Sequence, residues 1–301
     1  MRIVSLLPSA TEILCALGLA ESLVGISHEC DYPPEIRNRP RVTRCLLPAG
    51  LTSAEIHRRV QQEAARGESL YALDREKLAA LAPDLVVAQR QCSVCAVGES
   101  DAARDLQAIG NQARLVSLGA SHFEQLPGDI RLLGLTTGQL ERAEALLREH
   151  ETRLERARRG TKAKHRPCVL CVSWFDPLMA AGHWMTQMVE LAGGEDRLGR
   201  RGGSSTLLSC AVVEAYKPEV VLLLPCGFTA QQTMAEWESA RRQTFWAGLP
   251  AVEARRVFIL EGSLFHRPGP RMVEGVELLA SLLHPETSAQ LTPGARARQV
   301  A

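Results

Sequence analysis

Short apolar runs alternate with amphipathic stretches along almost the whole chain, and turn residues separate them. Ile3-Val-Ser-Leu-Leu reads as a buried strand, followed by Pro8-Ser9 and a helix from about Ala10 to Leu17 that Gly18 closes. Leu23-Val-Gly-Ile-Ser is a second short strand, and His28-Glu-Cys-Asp-Tyr-Pro-Pro leaves its end as a polar loop, because two prolines cannot continue a central ladder. Asp74 to Leu81 forms a short amphipathic helix, Pro83-Asp84 a turn, and Leu85-Val-Val-Ala a strand running into Gln89-Arg-Gln-Cys-Ser-Val-Cys. The same order returns from Ala211: helix, Pro218-Glu219, the apolar strand Val220 to Leu224, then a loop cysteine, with Pro218 and Cys226 answering Pro83 and Cys92. The two halves read as a weak internal repeat.

Between the repeats, Leu140, Ala143, Leu147, Leu154 and Ala157 recur at helical spacing, with Gly160 as the expected stop. A helix of about 20 residues spans about 30 Å, enough to join two lobes stiffly. The second half opens with the strand Cys168-Val-Leu-Cys-Val-Ser-Trp and continues through Gly182-His183-Trp184 to a helix over Met185 to Leu191, capped by Gly193-Gly194. The strand Val257-Phe-Ile-Leu runs into Phe265-His-Arg-Pro-Gly-Pro-Arg, and a last helix covers Met272 to Leu283. Beyond Pro285 the periodicity stops. The expected organisation is an α/β protein of two lobes joined by a long rigid helix: an N-terminal lobe over 1–125, a connecting segment over 126–164, a C-terminal lobe over 165–285, and a disordered tail over 286–301.

Length supports two lobes, since 301 residues exceed one compact core. The balance of 35 basic against 34 acidic residues supplies no long-range field to gather nucleic acid or anionic lipid, which disfavours nucleic acid as a partner. No run of 18 or more apolar residues is present, so membrane insertion is not expected. Pro8, Ser9, Thr11 and Glu12 interrupt the apolar start, so it reads as a strand entering a helix rather than a secretory signal. Nine cysteines, an odd number without a disulfide-scaffold spacing, then point to reduced thiols in the cytoplasm, or to the periplasm if a signal has been removed.

Val4-Ser-Leu-Leu-Pro-Ser-Ala-Thr-Glu, Asp31-Tyr-Pro-Pro, Leu78-Ala-Ala-Leu-Ala-Pro-Asp-Leu-Val-Val, Met188-Val-Glu-Leu-Ala-Gly-Gly, Lys217-Pro-Glu-Val-Val and Arg267-Pro-Gly-Pro-Arg stand in order along the chain. In these residues the sequence resembles the class III substrate-binding proteins with the TroA-like fold, nearest the vitamin B12-binding and iron-chelate-binding branch. The resemblance implies two α/β lobes with a ligand between them, no chemistry performed on that ligand, and an ABC importer as partner where the protein is exported. The missing signal and the cysteine-rich loops depart from the exported members, which favours storage, sensing or carriage inside the cell.

In open α/β sheets ligands sit beyond the carboxyl ends of strands. That rule, with the resemblance, selects Pro8, Ser9, His28, Tyr32, Gln91, His183, Trp184, Phe228, Arg267 and Arg271 as ligand-binding candidates. His28 and His183 each offer a neutral imidazole to cobalt, iron or zinc, and Trp184 a flat apolar face to a large ring such as the corrin of cobalamin. Arg267 and Arg271 bracket a rigid Pro-Gly-Pro and suit a carboxylate, amide or phosphate. Gly202-Gly-Ser-Ser-Thr reads as a mobile loop, lacking the lysine of a phosphate-binding loop.

Cys92 and Cys95, with Cys30 and Cys226 from other strand-end loops, form a second candidate: four thiolates for zinc or an iron–sulfur cluster, a set that could support redox activity. Against it, buried cysteines commonly act as small hydrophobes, the favoured reading for Cys15, Cys168, Cys171 and Cys210. No nucleophile elbow, metalloprotease helix or dinucleotide-binding glycine fingerprint occurs, and no enzymatic activity is expected. The sequence thus points to non-catalytic binding of a corrinoid or related metal chelate, with the thiolate-bound metal as the alternative.

Overall fold

A computed structural model describes residues 1–90, 96–162, 164–287 and 296–301. The chain divides into two compact units: Met1–Leu51, Glu55–Ala120 and Gln125–Leu147 form the first, and Thr52–Ala54, Ser121–Glu124 and Arg148–Ala301 the second. The elements of the first half are β1 (Ile3–Ser5), α1 (Pro8–Ala16), β2 (Leu23–Ile26), β3 (Thr43–Cys45), α2 (Ser53–Arg66), β4 (Tyr71–Leu73), α3 (Arg75–Leu81), β5 (Leu85–Gln89), α4 (Glu99–Ala108), β6 (Arg114–Leu118) and α5 (Leu126–Thr137). Its main sheet has the order β2-β1-β5-β6, parallel throughout, and β3 pairs antiparallel with β4. A parallel sheet covered on both faces wants strands apolar on both sides. Accordingly Ile3, Val4, Val86, Val87 and Ala88 are fully buried.

Helix α6 (Leu140–Thr161) begins in the first unit and ends in the second. It runs through Gly160, the expected stop, because one glycine costs a helix only about 1 kcal/mol. Arg142 donates to the Leu17 carbonyl at 2.9 Å, and a Cβ on Gly18 would fall 1.8 Å from that guanidinium. Further along, Arg153 holds Glu277 through two bonds of 3.0 and 2.6 Å. The basic end of α6 is therefore partly a packing surface.

The second half contains β7 (Val169–Trp174), β8 (Met179–Ala180), β9 (Gly182–His183), α7 (Met185–Leu191), β10 (Arg200–Arg201), β11 (Thr206–Leu207), α8 (Cys210–Tyr216), β12 (Val220–Leu223), α9 (Ala230–Ala240), α10 (Thr244–Ala247), α11 (Pro250–Glu253), β13 (Val257–Leu260), α12 (Met272–Leu283) and β14 (Ala297–Gln299). The sheet order is β11-β8-β7-β12-β13-β14, with β7, β12 and β13 parallel and the flanking strands antiparallel. Trp237, Trp246, Phe245 and Leu249 pack over Leu170, Val221, Leu223 and Ile259 to form its core.

The internal repeat has a geometric basis. Helix α3 ends at Ala82 and α8 at Lys217, both left-handed (φ 39° and 52°), and a proline follows each. A helix cannot continue into the residue before proline, so each chain reverses there into a strand. Asp84 N–H then bonds the Arg2 carbonyl and Glu219 N–H the Cys168 carbonyl, each at 2.8 Å.

A further expectation fails. The final residues are not a loose tail: β14 adds to the edge of β13, and Val300 and Ala301 pack on the core cluster. Its partner lies some 40 residues away in sequence, which local periodicity does not register. The Gly202-Gly-Ser-Ser-Thr segment runs from the end of β10, paired with β9, into β11, paired with β8. Gly202 (φ +67°) packs so closely on His122 that a Cβ would come within 2.1 Å of the ring. Among the described residues no helix is long and apolar enough to cross a membrane.

Candidate functional site

In the first unit the parallel strands deliver their carboxyl ends to one edge of the sheet, and a polar loop follows β2. Arg41 organises it: its guanidinium donates to the carbonyls of Ser27 at 2.8 Å, His28 at 3.4 Å, and Cys30. His28 is anchored twice to Thr43 Oγ1, from its backbone N–H at 2.9 Å and from Nδ1 at 2.7 Å, and its ring lies 5.6 Å from that of Tyr71. Burial lowers the His28 pKa, Glu29 raises it and Arg41 lowers it again, leaving it below the ordinary imidazole value. Tyr32, 38% exposed, projects from the same loop.

Pro8 and Ser9 do not line a loop. Pro8 occupies the first turn of α1, where its missing N–H costs nothing, and Ser9 is buried. Thr11 instead builds a polar seam inside α1, donating to Ser5 Oγ at 2.9 Å and lying 3.0 Å from Cys30 Sγ. Cys30 is 1% exposed, the burial of a packed thiol. Cys15 sits one turn along α1 from Thr11; burial, then Glu35, Cys30 and Glu12, push its thiol up to about 12 and keep it protonated.

Cys92, Cys95 and Gln91 lie outside the described residues. Cys226 is exposed at the end of β12, and Cys210, expected on an apolar face, is exposed at the start of α8. Among the described residues, no group of three or more His, Cys, Asp or Glu side chains is placed to hold a metal ion.

In the second unit the indole expected to face a ligand turns inward. Trp184 is 7% exposed, and its Nε1–H donates to the Phe265 carbonyl at 2.6 Å, so it is a structural residue. The partly exposed indole is Trp174, at the last position of β7, which sequence reasoning did not select. Its ring lies 5.3 Å from Phe228, beyond the end of β12, with the planes at 63°, and its Nε1–H bonds the carbonyls of Ser53 and Asp176, each at 3.1 Å. Ser53 is fixed in turn by Glu236, which accepts its N–H at 3.0 Å and its hydroxyl at 2.6 Å. β7 and β12 are neighbours in the sheet, so their carboxyl ends bring the two rings together. The legible signal was an aromatic residue ending an apolar strand.

His183 is half-buried, adopts φ 54° and stacks on Trp184 at 5.4 Å; burial, then His122, lowers its pKa. His266 also went unselected. Its Nε2–H donates to the Leu224 carbonyl at 2.7 Å, tying the loop after β13 to the end of β12, and burial carries its pKa down to about 4. Arg271 is buried at the start of α12, 3.5 Å from Ser263 Oγ, whereas Arg267 is partly exposed.

The sequence pattern of the periplasmic binding protein family matches residues 3–264. The chain belongs to that family. It is 26% identical to an uncharacterised ABC transporter substrate-binding lipoprotein, YvrC, of Bacillus subtilis, across 95% of this chain and 81% of the relative. It is 24% identical to the vitamin B12-binding protein of Pectobacterium carotovorum, across 97% and 90%. A periplasmic heme-binding protein from Pseudomonas aeruginosa has the same fold, with a TM-score of 0.75 over 100% of this chain and 99% of the other at 22% identity. The chain is thus a substrate-binding protein with the α/β fold of that class. The cytoplasmic location expected from the start of the sequence and the cysteine count is overturned, since the family is that of the periplasmic binding proteins and the Bacillus subtilis relative is a lipoprotein. Nor do the relatives support zinc or an iron–sulfur cluster as the ligand.

Proposed function

We propose that this periplasmic binding protein holds a metal-containing macrocycle, a corrinoid or a haem, without altering it chemically, and passes it to an ABC importer. The observation that carries this reading is the Trp174–Phe228 pair: two partly exposed rings at adjacent strand ends, fixed at 5.3 Å, make an apolar face suited to a large flat ring. Truncating an aromatic anchor of this kind costs about 2 to 4 kcal/mol of binding. The vitamin B12-binding relative and the heme-binding structural neighbour support the same ligand class. Arg267 in the loop after β13 supplies a cation suited to the carboxylate or amide side chains that such macrocycles carry.

The test is equilibrium dialysis of the purified protein against aquocobalamin and, separately, hemin. Saturable uptake of one of them, weakened at least about tenfold by Trp174→Ala, is the expected result. Uptake of neither overturns the reading.

A further inference from the structure

Two thiols of the first unit meet beside one face of α1. In the loop after β2, Cys30 Sγ lies 3.0 Å from Thr11 Oγ1. Cys15 stands one helical turn beyond Thr11, and residues four apart share a helix face with Cβ atoms about 5 to 6 Å apart. The sulfur that touches Thr11 is therefore a neighbour of Cys15. Burial is the main cause of the raised Cys15 pKa, and Cys30 is among the groups that add to it, as a nearby thiol does. Both cysteines belong to the segment Met1–Leu51, so their approach is internal to one unit.

The compartment gives this pair a chemistry. The family is that of the periplasmic binding proteins, and the periplasm is oxidising, the setting in which neighbouring thiols become disulfides. We propose that Cys15 and Cys30 form a disulfide that tethers the loop after β2 to α1. Arg41 already holds this loop through the Ser27, His28 and Cys30 carbonyls, and the disulfide adds an anchor on a different element. Thr11 keeps its 2.9 Å bond to Ser5 Oγ when the Cys30 sulfur turns toward Cys15.

The oxidant is another disulfide, that of a thiol oxidase or of oxidised glutathione. Cys15 is partly exposed and Cys30 only 1% exposed, so the oxidant meets Cys15 first. The Cys15 thiolate attacks one oxidant sulfur, forming a mixed disulfide and expelling the other sulfur as a thiolate. Cys30, as its thiolate, then attacks Cys15 Sγ, forming the internal bond and expelling the second oxidant thiolate. The two protons lost by the cysteines end on the expelled thiolates, and two electrons pass from the protein to the oxidant. A Cys15 thiol with a pKa of about 12 is seldom ionised at neutral pH, so closure in the folded chain is slow and quickens in alkali.

The experiment equilibrates the reduced full chain with oxidised glutathione at pH 8.5, blocks remaining thiols with iodoacetamide, and cleaves after glutamate without reduction. Cleavage at Glu12, Glu21, Glu29 and Glu35 separates residues 13–21 from residues 30–35. The expected result is these two peptides joined, and released by dithiothreitol. The oxidised protein should melt about 5 °C above its reduced form, and Cys15→Ser and Cys30→Ala should each remove that difference. Refolding the urea-unfolded chain in the same mixture repeats the test with both thiols open to the oxidant. If in both arms the two peptides emerge alkylated, or Cys15 carries glutathione while Cys30 is free, or either is joined to a different cysteine, the proposal is overturned.

Discussion

Glu219 accepts the backbone N–H of Cys168 through Oε1 at 3.1 Å, so a turn carboxylate fastens the first residue before β7. The first unit repeats the device: Asp84 accepts the Arg2 N–H through Oδ2 at 2.7 Å. In each unit the acidic residue after a proline both turns the chain and anchors the start of the neighbouring parallel strand. That dual task gives the internal repeat its physical content.

Replacing Glu219 should be felt in stability and not in ligand binding. Burial opposes its ionisation, but hydrogen bonds from His165 and Cys168 prevail and hold its pKa below the ordinary carboxylate value. A depressed pKa means stabilisation that is present above the unfolded value and lost as pH falls through the folded one. Urea unfolding should find Glu219→Ala about 1 kcal/mol less stable at pH 7, with the difference closing toward pH 3.

Asp196 behaves in the opposite sense. Burial drives its carboxyl up to about 6, even though the Leu198 and Gly199 N–H groups bond Oδ1 at 3.1 and 2.9 Å. The buried Cys171 thiol is the side-chain hydrogen-bond partner of this carboxyl. A raised acid is penalised when ionised in the fold, so its stabilising contribution is complete below the unfolded pKa and declines as pH rises to about 6. The decline amounts to about 3 kcal/mol, and Asp196→Asn should flatten the pH dependence measured by thermal unfolding between pH 4 and 7.

The two indoles should separate structure from binding. Trp184→Phe keeps the ring and loses the 2.6 Å bond to the Phe265 carbonyl, leaving that acceptor buried. A loss of about 1 to 3 kcal/mol in stability is expected, with chelate uptake nearly unchanged at temperatures well below the midpoint. Trp174→Ala should do the reverse: little change in melting temperature and weakened uptake.

Removing residues 296–301 strips β14 from the edge of β13. It deletes the bonds from Val257 N to the Ala301 carbonyl at 2.8 Å, from Val300 N to the Val257 carbonyl at 2.9 Å, and from Glu261 N to the Arg296 carbonyl at 2.9 Å. The shortened chain should lose about 2 to 4 kcal/mol and gain a concentration-dependent tendency to associate, read by light scattering, because an open strand edge invites pairing.

Much of the scaffold was legible in the linear pattern. The helices Met185–Leu191 and Met272–Leu283 occupy the expected residues, and Asp74 and Pro83 bound α3 where capping and proline chemistry require. These features depend on neighbours within a few residues, which periodicity records. The position of the strand-end loops followed from the same information.

What occupies those loops did not. Trp174 and Trp184 each adjoin a short strand, yet one indole finds the Phe265 carbonyl and turns inward while the other meets Phe228 and stays partly exposed. Cys30 and Cys226 both looked like loop thiols, and burial beside Thr11 distinguishes the first. By itself the sequence determined the alternation of strands and helices, the proline–acid turns, and hence the α/β architecture with its polar strand ends, because those depend on local backbone preference and the spacing of apolar residues. Tertiary structure alone decided which indole is structural, that His28 is anchored on Thr43, and that the last residues complete a sheet, because each is settled by an atom that lies far away along the chain or on a different element.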